Sequence, residues 1–188
     1  MGDSYYWHRE HRGTLLAIFA FVAMFAIYSF NHPVGLNANV ATTAANKGVL
    51  LALVAMAQTV VVITSGIDLS VGAILVLANC LASRIVLGDP ISTGMGVVGV
   101  LLVGCLCGAL NGLIVVYGRL QPIVTTIATG AVFYGIALAL RPVPGGDVNA
   151  QLAEALTGKL WLDIPASLVL LAAIIGLVWV PYRRSMIG

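Results

Sequence analysis

Charge is what this sequence is short of. Of its 188 residues only 9% are Asp, Glu, Lys or Arg, whereas soluble domains carry about 25%, and 60% are hydrophobic. That balance excludes an ordinary water-soluble domain and identifies an integral membrane protein. The net charge of +2 is small and its basic residues are scattered, which excludes nucleic acid as a partner. Cysteine is scarce too: Cys80, Cys105 and Cys107 all fall inside apolar runs, where they pack as small hydrophobes, and their spacing suits neither a disulfide framework nor a zinc site. His8 and His11 have no second ligand cluster beside them, so no metal site is expected. The sequence also lacks a phosphate-binding Walker A loop, an HExxH helix and a GxSxG elbow, and it offers no acid–base pair or nucleophile constellation, so no catalytic residue is expected. Gly94-Met95-Gly96-Val97-Val98-Gly99 matches the dinucleotide fingerprint by letter only. No strand precedes it and no acidic residue follows at the ribose-binding distance, so it reads as a membrane-helix glycine pattern.

What the sequence has in abundance is apolar runs of membrane length. They fall at residues 14–30, 48–64, 69–87, 93–117, 122–140 and 164–180. The fold class that follows is all-α, a polytopic transmembrane bundle of about six hydrophobic segments, broken near Gly66. Residues 1–13, with Tyr5, Tyr6, Trp7, Arg9 and Arg12, form an interfacial amino-terminal segment; residues 14–188 form the transmembrane domain. The first run is followed by Asn31-His32-Pro33 rather than a small-residue cleavage site, so it reads as a retained anchor. Residues 31–47 read as a loop, Gly88-Asp89-Pro90 as a turn, Pro122 as the start of a helix, and residues 151–156 as a short surface helix. Trp161, Trp179 and Tyr182 mark the interface around the last run. Taking the amino end as inside, Arg9, Arg12, Arg119, Arg183 and Arg184 fall on the inner side and Lys47, Arg84, Arg141 and Lys159 on the outer. The inner residues cluster against span ends, which places the amino terminus in the cytoplasm.

One stretch breaks the apolar pattern: Thr64-Ser65-Gly66-Ile67-Asp68-Leu69-Ser70-Val71-Gly72. Asp68 is the only acidic residue between Glu10 and Asp89. A carboxylate at the centre of a spanning helix costs about 2.5–3.5 kcal/mol on insertion scales, so Asp68 requires partners or water. Gly66 can end one helix and Asp68 can cap the next, accepting from the N–H groups of Ser70 and Val71. The plainer alternative is an N-cap close to the membrane surface. Gln58, Asn79, Asn111, Thr125, Thr126 and Thr129 are the neutral polar residues placed to face a pathway or to bridge helices. Gly104, Gly108 and Gly112 recur every four residues along one helix face and are expected to admit a close helix neighbour.

The Ser65-Gly66-Ile67-Asp68-Leu69-Ser70-Val71-Gly72 run closely resembles the signature of permease subunits of bacterial monosaccharide ABC importers of the ribose type. A second stretch agrees in the same order: Asn111-Gly112-Leu113-Ile114-Val115, then Gly118-Arg119-Leu120-Gln121-Pro122-Ile123-Val124-Thr125-Thr126, then Gly135. In the family this segment is similar to NGL…G…PFIATL…G, from which Val124 and the extra Thr are mild departures. The likeness extends over residues 49–184. It implies a permease of the bacterial inner membrane that pairs with a second permease copy, identical or not, and with two cytoplasmic ATPase subunits that hold the ATP and magnesium. An extracytoplasmic sugar-binding protein would deliver the substrate, and this chain would need no cofactor of its own. The related branched-chain amino-acid permeases share the architecture without the Gly-Ile-Asp-Leu-Ser core, which favours a sugar. Family permeases continue beyond the point matching Tyr182-Arg183-Arg184, so the resemblance implies an amino-terminal portion. The alternatives are a truncated, non-transporting membrane scaffold and an ion-coupled secondary transporter with Asp68 as its coupling group.

Overall fold

Prolines set the starts of the long helices. In the computed structural model, which describes residues 12–31, 38–160 and 164–184, Pro90 opens one helix and Pro122 another, each at a first-turn position where no N–H is needed. The elements in order are α1 (Arg12–Asn31), α2 (Ala38–Ile63), α3 (Val71–Ile85), α4 (Pro90–Gly118), α5 (Pro122–Leu140), α6 (Ala150–Thr157) and α7 (Ala166–Ile174). The last runs through a π-helical turn at Ile175–Trp179 into α8 (Val180–Arg184). No strand occurs among the described residues, only a single bridge between Lys159 and Pro165. Residues 1–11 and Trp161, read above as interfacial, and residues 32–37, read as part of a loop, lie outside the described residues, as do residues 185–188.

Four helices, α1, α2, α4 and α5, are long and apolar enough to cross a membrane, and two shorter apolar helices accompany them, α3 and the one over residues 166–182. Their outer faces carry exposed Leu, Ile, Val and Phe, as expected of a surface solvated by lipid. The chain is therefore an all-α, multi-pass membrane protein.

The chain divides into two units, Met1–Ala44 and Ala45–Gly188. Within the first, α1 has no buried residue, and Phe21 and Phe25 stack one turn apart with ring centroids at 6.1 Å. In the second, α3 packs between α4 and α5. Leu77, Cys107, Phe133 and Ala137 are its buried centre, with Ala73, Ile74, Cys80, Val103 and Leu140 around them. Close approach at one end of α3 depends on Gly96: a Cβ there would lie 2.2 Å from the carbonyl oxygen of Ile85. The cysteines are free, and two of them belong to this core.

Some boundaries differ from the sequence reading. α2 begins at Ala38, not at residue 48, because the Ala- and Thr-containing stretch before the apolar run continues the helix. The Thr42 hydroxyl donates to the Ala38 carbonyl at 2.8 Å, so its polarity is absorbed within the helix. Lys47 accordingly sits inside α2 and is not a loop residue.

Candidate functional site

Between α2 and α3 the backbone leaves helical geometry. Ser65 takes φ 61°, in the left-handed region, and residues 66–70 run without regular structure until α3 starts at Val71. The break reaches the buried part of the bundle at its last residue. Ser70 is fully buried, and a Cβ built on Gly130 would come 3.4 Å from its Cα. Gly130 is near the middle of α5, about 12 Å from its start at Pro122. The far end of the α2–α3 connection thus packs against α5, while Thr64, Ser65, Ile67 and Leu69 before it are exposed.

Asp68 and Ser70 form the knot of this break. Asp68 Oδ1 accepts from the Ser70 N–H at 2.8 Å and from the Ser70 hydroxyl at 2.6 Å. The sequence reading, in which Asp68 caps the helix through the Ser70 and Val71 N–H groups, is corrected here in part. Ser70 itself holds the N-cap position, at φ −83° and ψ −13°, and its hydroxyl takes the place expected of the Val71 amide. Helix α3 starts two residues later than the motif suggests, and a side-chain hydroxyl within reach displaces the backbone donor.

Three other helices supply the rest. From α4, Asn111 Nδ2 donates to the Ser70 hydroxyl at 2.8 Å. From α2, Gln58 Nε2 donates to the Asp68 carbonyl at 3.1 Å. From α5, the Thr126 hydroxyl oxygen accepts from the Leu69 N–H at 3.0 Å while donating to the Pro122 carbonyl at 2.9 Å. In an apolar bundle such bonds matter because a buried group left unmade costs about 1–3 kcal/mol. Thr125 is buried on the same helix, and its carbonyl accepts from the Thr129 hydroxyl at 3.0 Å. Three buried oxygens, Gln58 Oε1, Asn111 Oδ1 and Thr125 Oγ1, have no hydrogen-bond partner among the described residues. They are acceptors suited to a hydroxyl donor.

The remaining sequence candidates lie elsewhere. Gly66 packs on Val61, and Ile67 and Leu69 are exposed, with Gly72 in the first turn of α3. Asn79 is exposed on α3, more than two turns from Ser70. A Cβ at Gly104, Gly108 or Gly112 would meet nothing within 4 Å, so the stripe is open in this chain, and the glycines that admit close neighbours are instead Gly96 and Gly130. Sequence reasoning passed over Gly130 and read Gly96 only as part of a membrane-helix glycine pattern.

At the opposite end of these helices the connections are tied together. The Asn149 N–H donates to the Val86 carbonyl at 2.9 Å, its Nδ2 donates to Gly88 at 2.7 Å, and its Oδ1 caps α6 through the Leu152 N–H at 3.1 Å. Asn46 Nδ2 donates to the Thr157 carbonyl at 2.8 Å, and the Ser167 hydroxyl donates to Asn46 Oδ1.

Comparison with known proteins places these features. A profile of the branched-chain amino acid transport system / permease component family matches residues 40–188. The ribose import permease RbsC of Haemophilus influenzae is 32% identical over 142 residues, 73% of this chain and 43% of that protein. The D-allose transport system permease AlsC of Escherichia coli is 34% identical over 68% of this chain and 39% of its own length. The ribose import permease RbsC of Bacillus subtilis is 32% identical over 94% of this chain and 54% of its own. The chain thus spans about half the length of these relatives. No solved structure matches it. The broken helix, the polar node and every span after α1, bar the first two residues of α2, fall inside the matched region, and the chain belongs to the branched-chain amino acid transport system / permease component family.

Proposed function

We propose that the chain is a transmembrane permease subunit of an ATP-driven importer for a monosaccharide, of the ribose and xylose class. It works in the bacterial inner membrane with its amino terminus in the cytoplasm. The observation that carries this reading is the helix break after α2, where the Asp68–Ser70 knot is bonded from α2, α4 and α5 and buried acceptors of Gln58 and Asn111 remain unused. Relatives named for ribose and allose import support the sugar class.

The pathway would form between this chain and a second permease copy, and helix movements would expose it alternately to the two sides. Two cytoplasmic ATPase subunits bind the ATP and magnesium, consistent with the absence of a Walker A sequence from this chain, and an extracytoplasmic binding protein delivers the sugar. The chain itself carries no cofactor. Affinity purification of the full reading frame from membranes, followed by uptake of radiolabelled D-ribose and D-xylose, tests this. Co-purification with an ATPase subunit and ATP-dependent uptake are expected. A chain recovered without an ATPase, or uptake that follows an ion gradient and ignores ATP, overturns it.

A further inference from the structure

Between α4 and α6 runs an open groove of about 310 Å³ whose walls include Val86, Val97, Val100, Leu101, Leu152 and Leu156. It presents no polar surface: Thr157, also in the wall, spends its hydroxyl on the Ala153 carbonyl at 2.7 Å. The groove is built in advance. Helix α6 is pinned at its start by Asn149, which bonds to Val86 and Gly88, and at its end by Asn46, whose Nδ2 donates to the Thr157 carbonyl at 2.8 Å. Gln151 and Glu154 of α6 are exposed while Leu152 and Ala153 are half-buried, so this short helix is amphipathic. Helix α4 has 29 residues, about 43 Å, against a hydrocarbon layer of about 30 Å. Centred on that layer, it places Val97, Val100 and Leu101 within about 10 Å of the layer's edge. Leu101 is 64% exposed, as are Val98 and Leu102 beside it at 56% and 58%, so the groove opens onto the lipid-facing side of α4.

We propose that this groove is a binding site for one acyl chain of a membrane phospholipid, held longer than the lipids that touch the bare outer faces. An acyl chain asks for no hydrogen bond, and the walls offer none. A polar solute would give up its bonds to water there and find nothing in exchange. The small volume takes a slender hydrocarbon chain, whereas a second helix, about 10 Å across, needs a broader trough. Continuity with the lipid-facing side of α4 supplies the route of entry, and the two pins on α6 hold the far wall in place.

Photo-crosslinking of the full-length permease in lipid nanodiscs tests this, with a phosphatidylethanolamine carrying a diazirine in its acyl chain as the probe. Irradiation follows transfer into unlabelled lipid, so that only slowly exchanging probe remains. Adducts mapped by peptide mass spectrometry are expected to concentrate on residues 97–101 and 152–156. Leu156→Ser, which sets a hydroxyl in the wall, and Ala153→Phe, which fills the groove, are each expected to cut that yield about tenfold. Val98→Phe adds bulk outside the groove and is expected to leave the yield unchanged. Adducts spread over α2, α4 and α5 in proportion to exposure overturn the proposal. So does a groove that takes no label because another part of the permease covers it, and so does a yield indifferent to Leu156→Ser.

Discussion

Gly130 lies directly beneath Ser70: a methyl added at Gly130 would sit 3.4 Å from the Ser70 Cα and 3.6 Å from its Cβ. Gly130→Ala is therefore expected to be accommodated with small adjustments, whereas Gly130→Leu drives α5 away from the break. The cost expected for leucine is about 1–3 kcal/mol, the range for overpacked sites. Thermal unfolding in detergent measures it, and a leucine variant as stable as the parent would show that Ser70 is not held against α5.

Ser70 serves two partners at once, giving its hydroxyl proton to Asp68 and accepting from Asn111. Ser70→Ala leaves the buried Asn111 amide without that bond, at an expected cost of about 1–3 kcal/mol. Adding Asn111→Leu removes the stranded group, so the double variant should be more stable than the sum of the singles by about 0.5–3 kcal/mol. Strict additivity in a double-mutant cycle would disprove the shared bond.

Asp68 is expected to act through its acceptor oxygen. Asp68→Asn keeps an oxygen for the Ser70 N–H and hydroxyl, while Asp68→Ala removes both bonds. ATP-driven sugar uptake should survive the Asn variant and fall about tenfold or more in the Ala variant, the equivalent of about 1.4 kcal/mol. Equal loss in both variants would show that the charge is what matters, as a proton- or ion-coupled mechanism requires.

Glycines on the same helix α4 should differ sharply. Gly96→Ala places a methyl 2.2 Å from the Ile85 carbonyl oxygen and must separate α3 from α4. Gly104→Ala meets open space. Detergent unfolding of the two variants is expected to differ by about 1–3 kcal/mol, with the Gly96 variant the weaker.

Acidity is expected to loosen the start of α4. The Ser92 hydroxyl, then the Ser92 N–H, hold the Asp89 carboxyl below its ordinary range, and the Ile91 N–H adds to this. The folded state therefore binds this proton less readily than the unfolded chain. The cap's contribution is fully present above the ordinary carboxylate range and is lost as pH falls through the lowered folded value. Hydrogen exchange at Ile91 and Ser92 should quicken across that interval, relative to neighbours in α4, and Asp89→Asn should abolish the effect. An identical profile in Asp89→Asn assigns it elsewhere.

Much of the helical layout can be read from the chain alone, because prolines and apolar length write it locally. Residues 122–140 were expected as a span and form α5, since Pro122 fixes its start. The start of α2 was not legible, because hydropathy marks where a chain prefers lipid and says nothing about a polar helix continuing beyond it. The break near Gly66, and the need for partners at Asp68, could be inferred from one charge in an apolar run. Its partners Gln58, Asn111 and Thr126 were visible as polar residues, yet their meeting depends on packing among helices far apart in sequence. Periodicity singled out Gly104, Gly108 and Gly112 because a repeat reveals a face, not what covers it; Gly96 shares their four-residue register and Gly130 lies on another helix, yet these two do the spacing.

The stitching of one non-helical segment to α2, α4 and α5 has a mechanical consequence. Hydrogen bonds tolerate only a few tenths of an ångström of stretch, so none of the three helices can slide alone past the segment without rupturing its link. On the importer reading, α2, α4 and α5 would carry the segment with them or break one of its links, so an opening stroke would fall at the faces left exposed in this chain.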